Sequence, residues 1–191
     1  MKVLGISGSP RHNGNTDLLL QELLKGAAGQ GAVTEFITLR NRKYSTCQHC
    51  DACLTAGICK LKDDMQEIYA KLAEADVIVL ASPVQFAGPT ATLKAMVDRC
   101  QCLWARKYIL KTPPLLPAKK RRGFFLSIAG RKSKTMFDPS LVIVKTFFHV
   151  IDVEYAGELT ANEIEEKGAI LRHPDIMHQA FQWGEKLAAG G

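Results

Sequence analysis

The chain lacks any apolar run of membrane-spanning length. Its purest stretch, Val77-Ile-Val-Leu-Ala81, is five residues long, far short of the roughly 20 that a bilayer span requires, and reads as a buried strand. No internal repeat or low-complexity tract interrupts the 191 residues, so a single domain over 1–191 is expected. Aromatic residues make up only 7% and none forms a ladder among the basic residues. Without a recognition-helix signature either, the formal charge of +6 does not argue for a nucleic-acid partner. No Ser-His-Asp or metal-hydrolase constellation is visible, which sets hydrolytic chemistry aside. Met1 to Ile6 reads as a short strand entering a loop rather than as a signal peptide, so a cytoplasmic protein without disulfides is expected.

What the chain does have is cysteine in one place. Cys47, Cys50, Cys53 and Cys59 fall within Cys47-Gln-His-Cys-Asp-Ala-Cys-Leu-Thr-Ala-Gly-Ile-Cys59. Three cysteines separated by two residues each let a short loop curl round a cube and offer thiolates to three irons; the step through Gly57 brings the fourth round. No proline follows Cys59 and there is no second run, so the spacing favours one self-contained four-iron cluster. Structural zinc sites usually present two separated pairs of ligands and fit the spacing less well. Free thiols are the other competing use.

Strand and helix alternate along the chain. Strands are expected at 2–6, 34–39, 77–81, 123–128 and 153–156, with helices at 16–28, 64–73, 90–103, 139–150 and 174–188. This predicts an α/β fold, a flavodoxin-like doubly wound five-stranded parallel sheet of order 2-1-3-4-5, with a cysteine-rich loop at 44–63 after the second strand. Ligands of such sheets sit beyond the carboxyl ends of the strands. There the first strand runs into Ser7-Gly-Ser-Pro-Arg-His-Asn-Gly-Asn-Thr16, which combines small hydroxyl residues, glycines, an arginine and a helix N-terminus, the parts of a phosphate cradle. It has neither the Gly-Lys-Ser/Thr ending of an NTPase loop nor the Gly-x-Gly-x-x-Gly fingerprint. A monophosphate such as that of FMN fits it better than a triphosphate.

These segments carry a resemblance. Gly8-Ser-Pro-Arg11 with Gly14-Asn-Thr16, the four-cysteine loop ending in Asp63-Asp-Met65, Ala75-Asp76 leading to Ser82-Pro-Val84, and Leu93-Lys94 with Asp98-Arg99 together resemble the iron-sulfur flavoprotein branch of the NADPH-dependent FMN reductase family. The match covers roughly residues 1 to 100. It implies bound FMN, a 4Fe-4S cluster on Cys47, Cys50, Cys53 and Cys59, an oligomer that is a homodimer or homotetramer, and electron transfer in anaerobic metabolism. By position, Ser7, Ser9, Arg11, Asn13, Asn15 and Thr16 would hold the FMN phosphate, and Pro83, Val84, Gln85, Phe86 and Gly88 would line the isoalloxazine. Gln85 stands where the family usually has tyrosine, with Phe86 as a substitute ring.

The loop after the fourth strand, Ser127 to Lys134 with Gly130, is expected to supply a third contact. Its cations suit a reduced flavin, the 2'-phosphate of NADPH or an acidic redox protein such as a ferredoxin-like carrier. The run Lys119-Lys-Arg-Arg122 lies at the opposite edge and reads as solvated surface. Cys100 falls on an apolar helical stripe and reads as core, Cys102 as a modestly exposed thiol, His49 as solvent-facing, and Asp98 with Arg99 as a structural or interface pair. Phe147, Phe148, His149 and Tyr155 read as a cover for the flavin or as an interface. Two functions follow: an electron-transfer flavoprotein taking electrons from a low-potential donor, or an NAD(P)H-dependent FMN or quinone reductase whose cysteine loop is cluster-free or holds zinc.

Overall fold

A computed structural model describes residues 1–133 and 135–189. Five strands, β1 (Lys2–Ser7), β2 (Val33–Thr38), β3 (Val77–Pro83), β4 (Arg122–Ile128) and β5 (Glu154–Ala161), pair in parallel in the order β2-β1-β3-β4-β5. The order is the one the alternation predicts. The central strands β1, β3 and β4 are nearly continuous apolar runs with almost every residue buried, as a sheet covered on both faces requires.

One face is covered by α1 (Asn15–Gly29) and α7 (Pro174–Ala189), the other by α3 (Met65–Glu74), α4 (Ala91–Arg99), α5 (Gln101–Tyr108) and α6 (Asp138–Val150). Helix α1 presents Leu19, Leu20, Leu23 and Ala27 as a fully buried stripe, the spacing of an amphipathic helix. It approaches α7 through two glycines. A Cβ at Gly26 would collide with the Phe181 backbone oxygen, and one at Gly184 with that of Leu23.

The expected third helix is two helices. At Cys100 the backbone turns to φ −78°, ψ 10°, and its N–H bonds back to Val97. The Arg99 carbonyl then accepts from the Tyr69 hydroxyl at 2.6 Å. The break lets Arg99 and Cys102 both face inward on the cysteine-loop side. Within that loop lies a short helix that periodicity does not reveal, α2 (Ala52–Ala56), ended by Gly57 in the left-handed region at φ 65°. β5 continues to Ala161, five residues past its expected end at 156, because the bulge opposite Gly123/Phe124 and the left-handed Gly157 hide its alternation.

Phe147 and Phe148 are core residues rather than a flavin cover or an interface. Gly123 in β4 leaves the space that the Phe148 ring fills, and Phe148 leans on Phe147 and Tyr155 with centroids 5.6 and 6.2 Å away. The basic run at 119–122 also departs from a solvated surface. Arg121 is 3% exposed, donating to the carbonyls of Ala73 at 2.7 Å and Pro117 at 2.9 Å, while Lys119 pairs with Asp76 at 2.5 Å.

Two outcomes are expected. Gly184→Ala forces α7 off α1 and should lower stability by about 1–3 kcal/mol, measured by urea unfolding. Burial opposes ionisation of Asp76, but bonds from Lys119 and the Lys2 N–H hold its carboxyl below the ordinary 3.8. Its contribution is therefore present above pH 3.8 and lost as the pH falls through the lowered value. Asp76→Asn should flatten the acid limb of a stability–pH profile.

Candidate functional site

At the carboxyl edge of the sheet, a cleft of about 170 Å³ opens between the loops that follow β1, β3 and β4. Ser9, Arg11, Gly14, Asn15 and Thr16 form one wall and Pro83, Val84 and Gln85 another. Ile128 and Gly130 close it, with Ile164 and Glu165 from the segment after β5. It is below the usual size of a small-molecule pocket, roughly 300–1,000 Å³, so a ligand of ordinary size would be enclosed only in part.

The loop after β1 is held from beneath. Asp17, fully buried in the first turn of α1, accepts the Ser7 hydroxyl at 2.5 Å, the Asn13 N–H at 3.0 Å and Arg40 at 2.8 Å. Asn13 can take part because it adopts φ 49°, which asparagine tolerates. Ser9 Oγ and the Arg11 backbone exchange bonds at 3.2 and 3.3 Å. Gly8 has no room for a side chain, since a Cβ there would stand 2.8 Å from Leu93 and 2.9 Å from Thr90. The Thr90 hydroxyl donates to the Gly8 carbonyl at 2.8 Å and so ties the β1 and β3 loops together.

The residues expected to meet a flavin thus divide. Ser9, Arg11, Asn15, Thr16, Pro83, Val84, Gln85 and Gly130 border the cleft. Ser7 is buried under the loop on Asp17, and the Ser127 hydroxyl is donated to the Ser82 carbonyl at 2.9 Å. The Asn15 amide reaches the Glu166 carbonyl at 2.8 Å and accepts from the Ile170 N–H at 3.2 Å, fastening the segment after β5 to α1. Phe86 and Ala87, both at positive φ, form the tip of a tight turn closed by Gln85 and Gly88. Phe86 projects wholly into solvent. Beyond Gly130, Arg131 and Lys132 are exposed; Lys134 lies outside the described residues.

Cys47, Cys50, Cys53 and Cys59 border one cavity against the α4–α5 junction, together with Arg99, Gln101 and Cys102. Cys53 and Cys59 pack on the core while Cys50 is exposed. His49 faces solvent, and Cys100 is core at 2% exposure. Cys102 is also buried, at 3%, and is a fifth thiol of this cavity instead of an exposed one. A bond from the Ala52 N–H lowers the Cys50 pKa, whereas burial raises those of Cys53 and Cys102.

Arg99 does not pair with Asp98, which binds Lys94 at 2.7 Å. It reaches Asp63 at 2.6 and 3.0 Å, the Ser45 carbonyl at 2.9 Å and Cys59 Sγ at 3.5 Å. Those bonds hold the Asp63 carboxyl below the ordinary range. Among the described residues no three His, Cys, Asp or Glu side chains converge as ligands of a single ion; the thiols surround a space of about 20 Å³, room for a water or two. Four cysteine thiols are a donor set used by thiolate-bound clusters and by structural zinc sites alike.

An open parallel sheet of this order, with its crevice at the β1/β3 reversal, defines a flavodoxin-like protein. Residues 1–154 match the NADPH-dependent FMN reductase family. An iron-sulfur flavoprotein of Methanosarcina thermophila is 31% identical over 172 residues, 87% of this chain and 85% of that protein. One of Methanocaldococcus jannaschii is 48% identical over 103 residues, and that alignment spans about half of each, 54% of this chain and 53% of the relative. The NAD(P)H:quinone oxidoreductase of Methanothermobacter marburgensis superposes with a TM-score of 0.72 at 16% identity, covering 98% of both chains. The chain belongs to the NADPH-dependent FMN reductase family, in its iron-sulfur flavoprotein branch.

Asp17 and Arg40 were not among the expected site residues, although an aspartate in the first turn of a helix behind a glycine-rich loop is a legible signal. Asp17→Asn should leave Arg40 without its partner and cost about 3 kcal/mol or more, as removing one member of a buried pair does. Loosening the loop should also weaken FMN binding several-fold, measured by fluorescence titration of apoprotein.

Proposed function

We propose that the protein is an FMN- and iron-sulfur-dependent electron-transfer flavoprotein, carrying electrons between a low-potential donor and an acceptor. The observation that supports this reading is the coexistence, in one chain, of an anion-and-ring cleft at the strand reversal and four thiols around a separate cavity. When bound, FMN supplies electron exchange in pairs or singly and a four-iron cluster supplies it singly, so the two together join unlike donors and acceptors.

The chain's own residues bind and orient. Ser9, Arg11 and Thr16 would take the phosphate, with Arg11 held over the cleft by its 2.9 Å bond to the Glu165 carbonyl. Pro83 and Val84 would give the ring an apolar edge, and Gln85 an amide beside it. Cys47, Cys50, Cys53 and Cys59 would ligate the irons, with Cys53 and Cys59 on the core side and Cys50 toward solvent. Lys60 lies beside Cys50, with Asp51 on the same rim, and would be the cation met by an acidic redox protein there. Assembly as a homodimer or homotetramer belongs to the same proposal. No helix among the described residues is long and apolar enough to cross a membrane.

A second reading, an NAD(P)H-dependent FMN or quinone reductase with zinc or nothing in the cysteine loop, is favoured by the family match and by exposed Arg131 and Lys132, which suit a 2'-phosphate. Three cysteines spaced two residues apart, with the fourth after Gly57, support the cluster over a single zinc ion, whose ligands usually come as two separated pairs.

The test is iron, acid-labile sulfide, zinc and FMN per chain after anoxic purification. About four irons, four sulfides and one FMN are expected; FMN with zinc or without metal would overturn the carrier reading. Flavin bleaching by reduced ferredoxin, but not by NADPH or NADH alone, is the further expected result.

A further inference from the structure

Arg99 is the largest fully buried side chain of the molecule, at 1% exposure. Burying a guanidinium costs several kcal/mol unless it is paired and its hydrogens are taken up. Asp63 accepts from both terminal nitrogens and the Ser45 carbonyl accepts from Nη1. These partners flank the cysteine loop, Ser45 ahead of Cys47 and Asp63 behind Cys59, so one guanidinium pins both ends of it. Closure of the loop would be complete with those bonds.

The guanidinium nevertheless makes another. Nη2 also points at Cys59 Sγ, 3.5 Å away, while buried Nε has no partner among the described residues. A neutral thiol is a poor acceptor. A metal-bound thiolate is an anionic one, and a bond to it from a cation is charge-assisted. One donor of a guanidinium already paired with Asp63 is thus directed at a sulfur that accepts well only when ionised.

We propose that Arg99 is a positioning residue that, through its hydrogen bond and charge at Cys59, raises the reduction potential of the iron-sulfur cluster. The inference rests on the cluster reading above. Reduction adds negative charge to a cluster, and a cation that draws density from one of its thiolates favours that reduced form; cluster potentials follow net charge and hydrogen bonding to sulfur. The bond acts on the Cys59 corner, which lies on the core side, away from solvent-facing Cys50.

The experiment compares anoxic wild type, Arg99→Gln and Arg99→Lys. Iron and sulfide are counted first; the cluster potential is then measured by redox titration followed by EPR, and the flavin potential by absorbance. Arg99→Gln should shift the cluster's reduced-to-oxidised ratio at least tenfold toward the oxidised form at a fixed applied potential, about 59 mV for a one-electron couple. Arg99→Lys, which keeps the charge and loses the fork, should shift it less. The flavin potential should not move in either variant. A fully iron-loaded Arg99→Gln with unchanged cluster potential overturns the proposal.

If that variant fails to hold iron, an unchanged potential in Arg99→Lys overturns it. Wild type supplies a check that needs no variant: the iron–sulfur(cysteine) stretch in resonance Raman should shift on transfer to D2O, and an unshifted band overturns the proposal. Wild type without iron removes the cluster reading and the inference with it, a result distinguished at the first iron count.

Discussion

The reversal of strand order between β1 and β3 is the constraint on which the rest of this molecule depends. All five strands run in parallel and end at one edge, but α1 leaves β1 toward one face and α4 leaves β3 toward the other. The two loops must part, and backbone N–H groups that would otherwise be covered are left lining a crevice. The Thr90–Gly8 bond sets how far they part. A fully compact packing of Gly8 against Leu93 is then needed to keep that bond short, which is why no side chain fits there.

Irregular backbone cannot hold itself in place, and the chain solves this twice by the same means. Asp17 with Arg40 lies under the β1 loop, and Arg99 with Asp63 lies under the cysteine loop. Buried ion pairs contribute little net stability against an apolar alternative, yet they fix directions in a way that apolar contacts do not. Backbone strain gathers in the same regions. Among the described residues, five of the eight with positive φ that are not glycine, Asn13, His49, Asp51, Phe86 and Ala87, lie in the loops after β1, β2 and β3, where surrounding structure holds conformations that would otherwise relax.

Much of this was legible in the sequence. Strand order followed from alternation and length, and Cys47, Cys50, Cys53 and Cys59 border one cavity. The division of the third helix at Cys100 was not legible, because the apolar stripe continues through the break and the event is a single change of ψ. Pairings across the chain were equally hidden. Arg99 sits beside Asp98 in sequence, but finds its carboxylate at Asp63, 36 positions away. Cys102 looked exposed on a continuous helix, and only the break turns it inward. Phe148 belongs to the core for a reason that sits in another element, the missing side chain of Gly123.

Helix α7 has a consequence for how the chain acquires its fold. Its 16 residues meet α1 about 155 positions earlier, backbone against backbone at Gly26 and Gly184. Until Pro174–Ala189 has been synthesised, the outer flank of α1 and the sheet surface at Phe124, which Trp183 covers, have nothing to close them. Such distant contacts delay folding and leave apolar surface open during synthesis. The nascent chain is therefore most vulnerable to aggregation late, when α1 and the sheet already exist and the helix that covers them does not.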